Sequence, residues 1–465
     1  MTTVTIVCSP NMGIVDSWLP VLAAVRERHP KWALVALVPR AWAIGIRADT
    51  AALRAAEELL DHVIIEATPG DHRRVDDLRT AGMVAGRRPA LVDAVRRVDA
   101  ALAVRGIARP AAEHPRGGPF ERMLRRVSVL LVGGVRRPFR YVDGRTVLLV
   151  DAVVLDRPEV VDLVHALDDP PTLSLSHGLG YLPSARPVAA EGRTFAASVR
   201  AYAYSKEHAN DLAEAFGLPS EQVRVTGVPR HDPKVRLPYL TSDTLAHGVP
   251  RADVLLISRP ATSPHDAPGG SPIDWLPMGR KIAHLQAIHR VVCEEFGLRL
   301  VVTRHPKERD ERALREGLPA DAEGRTWWLS EQHPLELAAG LRFAVSFSSG
   351  VAVDLLSADV PTIELQDVTG ASAYDGPDAL RDAQGRVLRT SERRHGLVLP
   401  ADDEDDLRAQ VARILDAPEA TLDGLRAAYR TRYADPTGAV ATILADIESL
   451  AAGRPLPPGP SGAGH

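Results

Sequence analysis

Cysteine is nearly missing from this chain. Only Cys8 and Cys293 occur in 465 residues. A disulfide framework is therefore not expected, and a reducing compartment fits better. Neither cysteine sits in a histidine–cysteine array, so there is no zinc signature. An excess of charge is missing too: the formal net charge is -4, which excludes a generally basic protein that coats nucleic acid. No stretch approaches the ~18 uncharged apolar residues of a membrane span. The longest candidates, 127–135 and 146–154, are strand-sized. Met1 to Val7 lack the basic leader and long apolar run of a secretory signal. There is no Walker loop and no serine elbow, and Gly13 is a lone glycine, short of a dinucleotide fingerprint. These absences predict a cytoplasmic protein, soluble or peripheral at the inner face of the membrane.

What is present is ordinary globular composition, 45% hydrophobic and 25% charged, in a chain too long for one core. Short apolar runs alternate with longer amphipathic stretches. Val4–Cys8, helical spacing over Ser17–Arg28 and Ala33–Val38 make a strand–helix–strand unit, the building block of a parallel sheet. Further strands are expected at His62–Glu66, Val127–Leu131, Val147–Val150, Thr172–Ser176, Ala201–Tyr204 and Gln222–Val225. Helices are expected near Pro158–Leu167 and Lys206–Phe216.

The pattern pauses in a proline-containing polar stretch and restarts with strands at Val254–Ile257, Leu300–Thr303, Phe343–Ser346 and Thr362–Leu365. Helices are expected there at Met278–Phe296, Pro334–Leu341 and Val351–Ser357. A last helical region, Glu404–Leu415 and Leu422–Leu450, is long enough to pack back on the first domain. The sequence thus predicts an N-terminal Rossmann-like domain over 1–238, a linker over 239–250 and a C-terminal Rossmann-like domain over 251–452. A Pro/Gly-rich tail over 453–465 is expected to be disordered. Two such α/β domains, with mostly parallel sheets facing across a cleft, place ligands outside the carboxyl ends of the strands.

Four segments in this sequence fall at such positions. His177 follows Thr172–Ser176 and precedes Gly178 and Gly180, so an imidazole suited to general-base work stands on an open loop; the plain alternative is a turn cap. Arg304, His305 and Lys307 follow Leu300–Thr303 and form an anion site for a diphosphate, or else a solvated basic turn. Ser346 to Gly350 lead into a helix, so Ser348, Ser349 and Gly350 offer N–H groups to a phosphate or simply cap the helix. Gly227 to Asp232 make a rigid turn in which Arg230 and Asp232 either line the cleft or form a hinge ion pair. Arg259, after Val254–Ile257, is a further phosphate candidate.

Three other features have simpler readings. His333-Pro334 opens a helix and is read as its cap. The acidic run Asp402–Asp406 is read as complementing a helix dipole. From Arg73 to Arg140, 16 arginines stand against 6 acidic residues, which fits solvated helix faces or weak contact with an anionic membrane surface.

Taken in order, His177-Gly178, Gly227 to Asp232, His305-Pro306 and Ser348-Ser349 resemble motifs of the GT-B superfamily. The set is most similar to the CDP-glycerol:poly(glycerophosphate) glycerophosphotransferases, with a His-Pro and Ser-Ser likeness to the CMP-sugar capsule transferases. Ser176 stands where the glycerophosphotransferases carry tryptophan. The resemblance covers roughly Thr172 to Leu365. It implies a nucleotide-activated donor, a glycan, lipid-linked or small hydroxyl acceptor, no permanent cofactor and no metal. It also implies that His177 is the base, that His305 with Ser348 and Ser349 holds the diphosphate, and that Arg304 and Arg259 assist. Glu364 at a strand end is then the expected ribose acceptor. A UDP-sugar transferase, a non-hydrolysing UDP-sugar 2-epimerase and a catalytically silent nucleotide-binding protein are the rival expectations.

Overall fold

The structure is a computed structural model that describes residues 2–8, 13–39, 55–56, 58–67, 146–152, 155, 160, 170–179, 199–235, 252–261, 276–305, 308, 311–330, 332–368 and 379–456. The expected strand Val127–Leu131, all of the helix Pro158–Leu167 except Val160, the linker 239–250, the 73–140 arginine stretch and most of the 453–465 tail lie outside these residues. The chain divides into two compact units, Met1–Tyr239 with Tyr433–His465, and Leu240–Arg432.

The first unit is built on seven parallel strands: β1 (Thr3–Val7), β2 (Ala33–Pro39), β3 (His62–Ala67), β4 (Thr146–Asp151), β5 (Thr172–Leu175), β6 (Val199–Ala203) and β7 (Val223–Val225). Their order is β3-β2-β1-β4-β5-β6-β7. Every residue of β1, β4, β5 and β6 is buried. Burial on both faces fits a parallel sheet covered by helices on each side, and it lets β4 carry the unbroken apolar run Val147–Val150, while Thr172, Ser174 and Arg200 are polar residues buried in β5 and β6. Helix Lys206–Phe216 lays Leu212 and Phe216 against Leu148, Val150, Val199 and Ala201. Ser205 caps its start, and Gly217 closes its end in the left-handed conformation. On another side helix Gly13–Arg28 packs against helix Ala439–Ala451.

That last helix belongs to the first unit although it comes from the far end of the chain. Asp232 holds it: one carboxylate oxygen accepts from Gly438 N at 3.0 Å and Val440 N at 3.4 Å, where the helix dipole favours an anion. The expected single helix over Leu422–Leu450 is in fact two, Pro418–Arg432 and Ala439–Ala451. Between them Pro436 cannot continue a hydrogen-bonded helix and Gly438 takes φ 83°. The break also explains Gly227, which has φ 75°. A Cβ there would stand 2.7 Å from the carbonyl oxygen of Ala434 and 2.8 Å from Pro436 Cα.

The second unit carries six parallel strands: β8 (Val254–Ile257), β9 (Leu300–Thr303), β10 (Trp327–Ser330), β11 (Phe343–Ser346), β12 (Thr362–Leu365) and, after a small antiparallel hairpin of β13 (Leu380–Arg381) and β14 (Val387–Arg389), β15 (Leu399–Ala401). The order is β10-β9-β8-β11-β12-β15. Counted within the unit and without the hairpin, that is 3-2-1-4-5-6, the doubly wound order whose switch point lies between the first and fourth strands. The loops after β8 and β11 therefore flank the switch point. Helix Met278–Ile288 continues as a π-helix over His289–Glu295. His333 caps helix Pro334–Leu337 in a reciprocal box with Glu336, and Asp403 caps helix Glu404–Asp416. Both segments are thereby accounted for by helix geometry.

Cys8 and Cys293 are both buried and unpaired, and burial pushes each thiol up to about 12. Among the described residues no helix is long and apolar enough to cross a membrane.

Candidate functional site

In the first unit the candidate residues gather at the carboxyl ends of β4 and β5. Asp151 ends β4, in register with Leu175 of β5, so its side chain lies beside the loop that carries His177. Its carboxylate is fully buried and accepts a 2.7 Å hydrogen bond from His177 Nδ1. Since a carboxylate only accepts, Nδ1 carries the proton and Nε2 is the basic ring nitrogen.

The loop is fixed from behind. Ser176 O accepts from Ser17 Oγ at 3.2 Å and from the Tyr204 hydroxyl. Ser176 Oγ meets His208 Nε2 at 3.3 Å, while His208 Nδ1 accepts from Tyr204 N at 3.1 Å. Burial pushes His208 down to about 4, so this imidazole is neutral and serves as a fixed strut. Two buried anchors on the carbonyl just before His177 leave little rotational freedom for the imidazole. Gly178 lies next to it in the same half-buried loop.

The turn Gly227–Asp232 lies under this loop. Arg230 is buried and donates to Ser17 Oγ at 2.9 Å, the hydroxyl that holds Ser176. Asp232 is buried against the last helix, as described above. Of the two expected roles, a cleft lining or a hinge ion pair, neither matches the bonds described: both residues are buried inside the first unit, where Arg230 braces the His177 loop and Asp232 docks the C-terminal helix.

In the second unit the candidates come from the loops after β8, β9 and β11 and from β12 itself. Arg259 donates to Ser348 O at 2.8 Å, which bridges the two loops at the switch point. Ser348 is buried and takes φ 71°, a left-handed conformation that a residue with a Cβ seldom adopts. Such strain, typically ~1–3 kcal/mol, persists where the surroundings impose it and clusters at functional sites. Ser349 Oγ accepts from Val351 N at 3.3 Å, beside Gly350, the N-cap of the seven-residue helix Val351–Ser357. So short a helix contributes little dipole, and charge at this site must come from side chains.

Arg304 ends the same crevice after β9 and is paired with Glu311 at 2.5 Å; His305 is half-buried beside it. Glu364 is 1% exposed, and its carboxylate accepts from Thr390 Oγ1 at 2.7 Å and pairs with Arg393 at 2.9 Å. Burial and the nearby Glu392 carboxylate push it up to about 7, against the pull of Arg393. The carboxylate expected at a ribose thus lies inside the unit, held by its own neighbours. Arg259 and Ser348 meet at the switch point, Arg304 and His305 follow the neighbouring strand β9, and Glu364 is buried within β12. Among the described residues no group of three or more His, Cys, Asp or Glu side chains is placed to hold a metal ion.

Asp151 was not singled out from sequence, nor were Lys281, Glu308 and the Tyr204–His208 pair. For Asp151 one signal existed: it is an acid set directly after the apolar run Val147–Val150.

No protein-family model matches the chain, and no match was found among curated proteins. Solved structures do resemble it. The chain is similar over 96% of both chains to a structure described as a UDP-N-acetylglucosamine 2-epimerase from Listeria monocytogenes, with 13% identity and a TM-score of 0.50. It is similar over 97% of its length, and 89% of the other chain, to the wall teichoic acid polymerase TagF, with 10% identity and a TM-score of 0.50. The likeness is one of fold: the chain has a GT-B-like α/β architecture of two Rossmann-like units, as the sequence predicts.

Proposed function

We propose that the chain is a transferase that moves a glycosyl or polyol-phosphate group from a nucleotide-activated donor to a hydroxyl acceptor in cell-surface glycan or glycopolymer synthesis. The observation that carries the reading is the buried Asp151 carboxylate bonded to His177 Nδ1 at a strand end. A carboxylate in that place fixes the tautomer and stabilises the imidazolium that forms when Nε2 takes a proton. A plain turn cap needs neither.

The step balances as follows. The acceptor hydroxyl gives its proton to His177 Nε2, and its oxygen bonds to the transferred carbon or phosphorus. The bond from that centre to the nucleotide phosphate breaks, with its electron pair going to the leaving phosphate oxygen. Arg259, Arg304 and His305 supply positive charge and hydrogen-bond donors for that oxygen. In such sites each well-placed donor contributes ~2.7–4 kcal/mol. Ser348 and Ser349 shape the loop on which the diphosphate rests.

The donor we infer is CDP- or CMP-linked, from the ordered His-Gly, Gly-x-Pro-Arg-x-Asp, His-Pro and Ser-Ser motifs. The arginine-rich 73–140 stretch supports weak attachment to an anionic membrane surface on the cytoplasmic side. A melting-curve panel with CMP, CDP, UDP, GDP and ADP tests the donor. At ~100-fold excess over the dissociation constant, a ligand of the folded state adds about 2.7 kcal/mol. Cytidine nucleotides are expected to give the largest shift. A clear preference for UDP would move the reading to a UDP-sugar transferase or a 2-epimerase, which the same fold accommodates.

A further inference from the structure

Two buried charged groups of the second unit that the proposed reaction leaves unused, Lys281 and Glu308, meet beneath the proposed anion site. Lys281, in the first turn of helix Met278–Ile288, is 1% exposed. Its ammonium donates to Arg259 O at 2.6 Å and to the Glu308 carboxylate. Ser258 Oγ, from the same loop as Arg259, donates to that carboxylate at 3.1 Å. Glu308 lies in the loop after β9, and its N–H donates to His305 O at 2.8 Å. One buried ion pair therefore ties the main chain at Arg259 to the main chain at His305.

Stability alone does not account for such a pair. Two charges withdrawn from water lose hydration that their attraction only partly restores, and an apolar pair of like volume commonly serves a fold as well or better. Both partners instead make their further bonds to the two cationic loops. The pair is also neutral overall, so it fixes the loops without adding to or cancelling the positive charge that Arg259 and Arg304 carry.

We propose that Lys281 and Glu308 are positioning residues that hold the Arg259 loop and the Arg304–His305 loop at the spacing a diphosphate requires. The proposal rests on the reading of those loops as an anion site. Neither residue touches the ligand; each acts through a carbonyl or an N–H of the loop it holds. Helix Met278–Ile288 adds two related contacts, Arg280 to Asp367 O at 2.9 Å and the His284 ring stacked near Phe347. Its polar face thus reaches the loops after β8, β9, β11 and β12.

The test uses the full chain in four forms: wild type, Arg259→Ala, Lys281→Met with Glu308→Leu, and Ser258→Ala. Each is titrated with inorganic pyrophosphate and with CDP by calorimetry, beside a melting curve. The double apolar variant is expected to melt within a few degrees of wild type yet bind both ligands at least tenfold more weakly. A purely structural pair would not separate affinity from stability in this way. Wild-type affinity in a folded double variant would overturn the proposal. Should that variant fail to fold, Ser258→Ala decides. It removes one bond to Glu308 and is expected to weaken pyrophosphate binding about fivefold with little change in melting; unchanged affinity would overturn the proposal. Arg259→Ala separates the two claims. If it binds as wild type does, or if wild type binds neither ligand, the anion-site reading itself falls. If it binds weakly while the double variant binds normally, only the positioning role falls.

Discussion

Replacing Asp151 by asparagine removes one charge and almost no volume. The Oδ1 of asparagine can still accept from His177 Nδ1, so the ring stays oriented and only the electrostatics change. The carboxylate oxygen lies 2.7 Å from Nδ1. The centre of an imidazolium ring is then roughly 4 Å from it, and at an effective dielectric of about 20 the attraction is ~4 kcal/mol. That stabilisation exists only once Nε2 has taken the acceptor proton, so its loss raises the barrier and leaves the ground state alone. At 1.36 kcal/mol per tenfold, turnover should fall about 10³-fold, within the ~10²–10⁴ range of a general base. Nucleotide affinity should change less than about twofold, because Asp151 and His177 belong to the first unit and the diphosphate candidates to the second. The assay is acceptor-dependent nucleotide release at saturating donor, with calorimetric nucleotide binding in parallel. Turnover within tenfold of wild type would rule out this role for Asp151, and so would an equal loss of nucleotide affinity.

Three further outcomes are expected. His305→Ala should weaken nucleotide binding about 10- to 150-fold, the ~1.5–3 kcal/mol of a hydrogen bond to a charged group, whereas His177→Ala should leave binding intact and abolish transfer; equal binding losses would misplace His177. Gly227→Ala forces a Cβ to 2.7 Å from Ala434 O at φ 75°, so denaturant unfolding should show a loss of ~2–5 kcal/mol, and an unchanged midpoint would contradict the docking of residues 434–436. His208 titrates near 4 when folded against ~6.5 unfolded, so the unfolded state binds the proton first; its contribution is complete above pH ~6.5 and falls away by about 3 kcal/mol as pH drops through 4. His208→Asn, whose Oδ1 can still accept from Tyr204 N, should flatten that acid limb, and an identical pH profile would show that His208 is not its source.

The parallel strands were legible because burial on both faces leaves runs such as Val254–Ile257 with no polar interruption. Trp327–Ser330 and Leu399–Ala401 escaped notice for the opposite reason. Both are sheet-edge strands, each carries exposed or half-exposed positions, and Pro400 interrupts the second. The segments bearing His177, Arg259, Arg304 and Ser348 were found because a ligand-facing loop must follow a strand, and strand ends can be read locally. Asp151 was not found as a partner. Its bond to His177 depends on β4 lying beside β5, and neighbours in a sheet are not written in any local pattern. Lys281 looks in sequence like a solvated residue of an amphipathic helix, but it is buried, with its ammonium bonded to Arg259 O and to the Glu308 carboxylate. Arg230 and Asp232 show the converse case: polar residues in a turn look accessible until helices more than 200 residues away pack on them, Gly13–Arg28 on Arg230 and Ala439–Ala451 on Asp232.

We propose that this fold, with an oriented imidazole in one unit and cationic strand-end loops in the other, carries out group transfer. Mass-spectrometric product analysis of the purified chain tests it most directly, with CDP-glycerol, a CMP-sugar and UDP-N-acetylglucosamine offered separately, each with and without a polyol acceptor. Nucleotide release from a cytidine donor is expected only when acceptor is present, together with an acceptor whose mass has risen by the transferred group. An isomerised sugar formed from UDP-N-acetylglucosamine without any acceptor would contradict it and assign the chain to epimerisation.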